Sequence, residues 1–217
     1  MNRLQIEKPP VAVWIVWAAL AVAGGEALLT GRLSLAFIAL VTFGLTLVPL
    51  VLPQRVGLKL PKGFTAAIVL FIFATIFLGE AFDFYERFAW WDMVLHGGSA
   101  MGFGIVGFLF AFVLFEGDKY AAPPWALAFI GFTVAMTIGA TWEIFEFGMD
   151  QIFGLNMQKS GLMDTMGDLI VDMIGAALGG LMGFLYLKGV EAGGPLSLIA
   201  QFVTLNRRLF RRRRDRP

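Results

Sequence analysis

The stretch DTMGDLIVDMIGAALGGLMGFLYL, residues 164–187, combines a membrane-spanning length with two patterns on one helical face. A transmembrane helix needs about 20 predominantly apolar residues, and this stretch supplies them. Three acids, Asp164, Asp168 and Asp172, recur every four residues and therefore step along one side of the helix. The same side continues with glycines at a spacing that permits close helix contact, namely Gly175, Gly179 and Gly183. We therefore expect the acidic side to face other helices and not lipid.

Five further apolar stretches precede this one, and 58% of the chain is hydrophobic, with a mean hydropathy of +0.76. This composition predicts an all-α polytopic membrane protein, with six transmembrane helices in one bundle formed by residues 1–194. The first stretch lacks a typical cleavage site and is expected to be a retained helix rather than a signal peptide. The predicted spans are 11–29, 33–52, 64–84, 92–115, 125–152 and 164–187.

Lysine and arginine are unevenly distributed between the two sets of loops. If the N-terminus is cytoplasmic, the cytoplasmic segments hold 14 of the 17 Lys and Arg residues. The outer segments then hold only Arg32, Arg87 and Lys159. The positive-inside rule therefore predicts a multi-pass protein of the bacterial inner membrane with both termini in the cytoplasm.

The segment 195–217 is apolar with interspersed polar positions and then rich in arginine. It is interpreted as a cytoplasmic amphipathic tail, which either anchors the topology or contacts anionic lipid headgroups. Nucleic-acid binding is not expected, because the basic segment is short and tethered at the bilayer.

Acidic residues have the opposite distribution to Lys and Arg. Of the 16 acids, 11 fall in the outer half or in the outer loops, where only three basic residues lie. An ionised side chain within a span costs at least about 2.5 kcal/mol, so these groups must be hydrated, protonated or neutralised by bound cations.

Helical phase predicts that many of these acids converge around His96, the one histidine of the chain. Carboxylates with one imidazole suit a divalent metal ion, and a spare carboxylate can act as a general base. The chain has no cysteine, which excludes thiolate sites and cysteine nucleophiles. The candidate metal ligands are Asp92, His96, Glu146, Asp168 and Glu80, and the candidate catalytic residues are Glu143 and Asp164.

These residues are compatible with three functions. The first is a metal-dependent enzyme acting on lipid-linked or amphiphilic substrates at the outer leaflet. The second is a transporter for protons or divalent cations, although the inner halves of the fourth and sixth spans carry no further charge. The third is an accessory subunit of a larger membrane complex. A purely structural alternative also exists for Asp92 and His96, as a buried salt bridge that fixes the bundle.

Residues 78–180 resemble the YjdF-like family of uncharacterised bacterial inner-membrane proteins. The resemblance rests on Glu80, on the segment from Trp91 to His96, on Trp142-Glu143-Ile144-Phe145-Glu146, and on the segment from Asp164 to Asp168 followed by Gly175-Ala176. It departs from the family pattern at Asp172, where a small or neutral residue is usual, and at Gly79, where a histidine is usual. The resemblance supplies no reaction, and it implies a polar core formed by Glu80, Asp92, His96, Glu143, Glu146, Asp164 and Asp168.

Overall fold

The computed structural model describes residues 8–115, 122–190 and 193–210, in which helices are joined by short loops and no strand is present. Six of the helices described are long and apolar enough to cross a membrane, which confirms the six predicted spans. We number the helices α1 (Val11–Leu29), α2 (Leu33–Arg55), α3 (Lys62–Ile72), α4 (Phe84–Arg87), α5 (Trp91–Leu114), α6 (Pro124–Phe153), α7 (Leu162–Leu187) and α8 (Pro195–Leu205). A π-helix, Phe73–Ala81, continues α3 to complete the third span.

Local sequence signals account for both ends of α6. Pro124 occupies the first turn of α6, where the missing N–H would have no helical partner. Gly154 ends α6 with φ of 65°, a left-handed conformation that glycine adopts without steric cost. Its N–H donates to the Asp150 carbonyl at 3.0 Å. These two signals bound the 30-residue helix that carries Glu143 and Glu146.

Contacts divide the chain into two compact units, Met1–Trp91 and Asp92–Pro217. In the first unit, α1, α2 and α3 pack around a core of buried apolar side chains. A hydrogen bond from Trp17 Nε1 to Thr46 Oγ1, 2.8 Å long, joins α1 to α2 within this unit. The core residues are Val13, Val16, Leu20, Ala39, Leu50, Val69 and Phe77.

In the second unit, glycines bring α5 and α7 into close backbone contact. A Cβ on Gly175 would overlap the carbonyl oxygen of Gly97. A Cβ on Gly104 would lie 3.0 Å from the Ala176 carbonyl oxygen and 3.1 Å from Gly179 Cα. The small-residue pattern of α7 is therefore a helix-packing surface, as its spacing predicted.

Replacing Gly175 by Ala is expected to destabilise the protein by roughly 1–3 kcal/mol, because the added methyl group overpacks this contact. Chemical denaturation in detergent measures the effect. Gly98→Ala on α5 is the matched control, since a Cβ there meets no atom within 4 Å. Equal stability of the two variants would contradict the packing assigned to Gly175.

The ends of α5 and α7 remote from the acidic residues are packed with aromatic rings. Phe112 lies 6.2 Å from Tyr186 and 5.3 Å from Phe210, measured between ring centroids. Helix α8 contacts α7, and its side chains Leu196, Ile199 and Phe202 are buried. The apolar side of α8 is thus covered by protein. The predicted contact of the tail with headgroups stays a prediction, and residues 211–217 lie outside the described part of the chain.

Candidate functional site

Six carboxyl groups gather at one end of the second unit, beside the loop 154–161 that joins α6 to α7. They project from the first half of α5, the second half of α6 and the first half of α7. Four of them are buried, and Asp92 and Asp164 are half-buried. The six residues are Asp92, Glu143, Glu146, Asp164, Asp168 and Asp172.

His96 lies among these carboxyls and is 8% exposed. Its Nδ1 lies 3.4 Å from Asp172 Oδ2. Its Nε2 lies 3.8 Å from Asp92 Oδ1 and 3.9 Å from Glu143 Oε1. The last two separations are too long for hydrogen bonds. The two ring nitrogens therefore have different surroundings, with Nδ1 at hydrogen-bonding distance from one carboxylate and Nε2 facing two others.

Three of these side chains have the spacing of ligands to one ion. Asp92, His96 and Asp168 each offer a donor atom, and the three atoms lie within 4.8 Å of one another. Metal–ligand bonds of about 2.0–2.6 Å allow two donors of one ion to be roughly 4–5 Å apart. The predicted ligands Asp92, His96 and Asp168 are thus brought together on two helices, α5 and α7.

Several buried carboxylate oxygens in this cluster lack a hydrogen-bond partner among the described residues. They are both oxygens of Glu143, Oδ2 of Asp164 and Oδ2 of Asp168. Thr165 faces the Glu143 carboxyl but does not meet the geometry of a hydrogen bond. Buried polar groups are usually paired, and an unpaired carboxylate is especially costly. The cluster therefore needs protons, water or a cation to compensate its oxygens.

Positive charge near the cluster is scarce. Lys159, in the loop, acts electrostatically on Asp92 and Asp164. The other described cations of this unit, Lys188, Arg207 and Arg208, follow the far end of α7. Among the described residues of this unit, one lysine and one imidazole lie near six carboxyl groups, so the cluster has an excess of acidic groups.

The remaining predicted ligands have different surroundings. Glu146 is 7% exposed, and its Oε1 accepts a 2.8 Å hydrogen bond from Trp142 Nε1 on the same helix. Glu80 belongs to the first unit, where it is exposed at the end of the π-helix. Coordination by Glu146 or Glu80 stays a prediction.

Asp150, which shares the helical face of Glu143 and Glu146, has a separate structural role. Its carboxylate accepts hydrogen bonds from the backbone N–H groups of Met157 at 2.7 Å and of Gln158 at 2.9 Å. The Gln158 side chain in turn donates to Thr165 Oγ1 on α7 at 2.6 Å. These bonds fix the loop to both helices that it connects.

Asp172 is the residue that sequence reasoning left out of the candidate ligands and catalytic groups. It is 1% exposed and lies closer to His96 than the other two carboxylates paired with that ring. Its carboxylate approaches α6 so closely that a Cβ on Gly139 would overlap Oδ2. The sequence feature that could have identified Asp172 is the four-residue repeat of Asp164, Asp168 and Asp172, which assigns all three to one helical face.

Comparisons with known proteins identify relatives of unknown function. The profile of a family described as predicted membrane protein (DUF2238) matches residues 10–189. An uncharacterized protein of Thermotoga maritima is 28% identical over 124 residues, which are 57% of this chain and 59% of that relative. The chain therefore aligns with less than two thirds of the relative's length. No solved structure matches the chain.

Proposed function

We propose that this chain, a member of the DUF2238 family of predicted membrane proteins, is a divalent-metal-dependent membrane enzyme whose ion binds at the carboxylate–histidine cluster. The observation that carries the proposal is the set of buried oxygens on Glu143, Asp164 and Asp168, beside His96, that have no hydrogen-bond partner in the described part of the chain. A divalent cation compensates several carboxylates at once, whereas protonation of His96 adds only one positive charge. A salt bridge alone is thus a poorer account of the cluster.

The donor types define the class of ion. Carboxylate oxygens suit Mg²⁺ and Mn²⁺, and the imidazole nitrogen extends the choice to Fe²⁺ and Zn²⁺. Asp92, His96 and Asp168 are the proposed ligands, since their donor atoms share one small volume. Glu146 is the fourth metal ligand proposed in the second unit.

A bound divalent ion lowers the pKa of a coordinated water and polarises a substrate oxygen, which is the chemistry of metal-dependent hydrolysis. Glu143 is the proposed general base, because it is buried, the described residues give its oxygens no hydrogen-bond partner, and Oε1 lies 3.9 Å from His96 Nε2. Asp164, with one unpartnered buried oxygen, is a supporting carboxylate. The cluster lies within helices that span a membrane, so the proposed substrate is lipid-linked or amphiphilic.

Transport across the second unit is the less favoured function. From the cluster toward the far end, α5 and α7 are in backbone contact at Gly104 and Gly179. Beyond that contact, Phe108 is 0% exposed and Phe112 is 2% exposed. A cation pathway needs polar groups at these depths, and the buried residues described there on α5 and α7 are glycine, alanine, aliphatic residues and phenylalanine.

Elemental analysis and lipid turnover test the two parts of the proposal. Purified protein is expected to contain a divalent ion and to lose thermal stability with chelator; absence of both would refute the metal site.

Mass spectrometry of a lipid extract incubated with wild type and Mn²⁺ should show a converted component that Glu143→Gln leaves unchanged. Identical extracts would refute the enzyme. Divalent-cation flux in proteoliposomes that Glu143→Gln abolishes would assign transport instead.

We also propose that the cluster end of the second unit is periplasmic and that both termini are cytoplasmic, on the distribution of Lys and Arg. Because the chain has no cysteine, single introduced cysteines report this orientation without background. Ser160→Cys in the exposed loop should react with a membrane-impermeant maleimide in intact cells. Gly193→Cys should react only after permeabilisation, and the reverse pattern would overturn the orientation.

A further inference from the structure

The first unit contains an apolar groove between α1 and α2, separate from the carboxylate–histidine cluster. Its volume is about 480 Å³, within the range of roughly 300–1,000 Å³ typical of ligand pockets. The walls come from both helices of this hairpin, and small residues on α1 leave the space open. Lining residues include Trp17, Leu20, Gly24, Gly25, Phe37 and Phe43.

The groove has the depth of one membrane leaflet. It extends along α1 from Leu28, near the turn into α2, to Trp17. Eleven residues separate these two side chains, which corresponds to about 16 Å of helix. The hydrocarbon core of a bilayer is about 30 Å thick, so this is about half of it.

The inner end of the groove is a fixed aromatic wall. The rings of Trp17 and Phe43 lie 5.5 Å apart, and the indole N–H donates to Thr46. This hydrogen bond links the wall to α2 and leaves no polar indole atom to face the groove. A straight apolar chain of leaflet length matches this apolar end.

The outer end of the groove carries both signs of charge. At the turn that follows Leu28, Arg32 forms an ion pair with Glu26. The Arg32 Nε donates to Thr30 Oγ1 at 3.0 Å. The Arg32 and Glu26 side chains are 52% and 61% exposed, so each can accept a second partner from the headgroup layer. A guanidinium binds a phosphate, and a carboxylate binds an ammonium group.

We propose that this groove binds one acyl chain of a phospholipid whose headgroup carries both a phosphate and a primary ammonium, as phosphatidylethanolamine does. The acyl chain fills the space from the turn to the Trp17–Phe43 wall. The phosphate pairs with Arg32, and the ammonium group donates hydrogen bonds to Glu26. The site is independent of the cation site, since it is formed entirely by the first two helices.

Native mass spectrometry of the full-length chain tests the site, with phosphatidylethanolamine, phosphatidylcholine and phosphatidylglycerol that carry identical oleoyl chains. We expect one phosphatidylethanolamine to be retained at least about tenfold more than either other lipid. Gly25→Leu should reduce retention by about tenfold, because a Cβ there meets no atom within 4 Å and the leucine side chain enters the groove. Glu26→Gln should abolish the headgroup preference, because the three lipids share the phosphate and differ in the group that Glu26 binds.

Gly44→Leu is the matched control, since Gly44 also has no atom within 4 Å of a Cβ and does not line the groove. Equal lipid retention by the Gly25 and Gly44 variants would overturn the acyl site. Equal retention of the three lipids by wild type would overturn the headgroup assignment. Should Gly25→Leu not fold, photolabelling of wild type with a diazirine-bearing phosphatidylethanolamine decides. Labels concentrated between Trp17 and Phe43 support the site, and labels spread evenly over the six spans refute it.

Discussion

Replacing His96 by Asn should abolish divalent-cation binding. His96 is the one histidine of the chain. Its Nε2 faces Asp92 and Glu143, and Asp168 offers a donor atom within 4.8 Å of those of His96 and Asp92. An ion present at 100 times its dissociation constant stabilises the folded protein by about 2.7 kcal/mol. The variant should lose this whole increment, and thermal unfolding with and without Mn²⁺ measures it.

Asp83→Asn is the matched control for this experiment. Asp83 is an exposed acid of the first unit with φ of 56°, a left-handed conformation that asparagine also tolerates. The control should keep the full stabilisation by Mn²⁺. If His96→Asn retained the same increment as wild type and control, the ion would not be bound at this cluster.

Asp172→Asn should weaken cation binding by roughly 10–100-fold while the ion still binds at saturation. The Asp172 carboxylate lies 3.4 Å from Nδ1 and thereby orients the ring, so that Nε2 faces the other carboxylates. An amide keeps the shape of the side chain but loses the charge that holds the imidazole N–H. Calorimetric titration with Mn²⁺ measures the change in affinity.

Gly139→Ala should have the same effect by a different route. The added Cβ overlaps Asp172 Oδ2 and displaces the carboxylate from His96. Gly148→Ala on the same helix is the control, because a Cβ there meets no atom within 4 Å. Wild-type affinity in both the Asp172 and Gly139 variants would remove Asp172 from the site and leave it with a packing role.

Hydropathy was sufficient to predict the six spans, because the requirement for about 20 apolar residues is a property of length and composition. It did not predict the π-helix Phe73–Ala81. A change of backbone hydrogen-bonding register alters neither the hydropathy nor the length of the span. The predicted start of the fourth span, residue 92, differs by one residue from the start of α5 at Trp91.

Helical phase predicted the faces of the acidic residues but not their partners. It assigned Asp164, Asp168 and Asp172 to one inward side, and the last two are buried. Phase predicted that the acids share a side with His96 but not which carboxylate contacts the ring, so the 3.4 Å approach of Asp172, 76 residues away, could not be predicted. Asp150 had the same phase as Glu143, yet it binds loop N–H groups because it lies at the helix end.

Electron spin-echo spectroscopy of Mn²⁺-loaded protein tests the central claim most directly. The chain has one histidine, so with a histidine-free affinity tag any imidazole nitrogen coupled to the ion belongs to His96. If His96 binds the ion, the spectrum should show one nitrogen coupled to Mn²⁺. Its signal should change on ¹⁵N-histidine labelling and be absent in His96→Asn. Bound Mn²⁺ without imidazole coupling, or no bound Mn²⁺ at all, would contradict it.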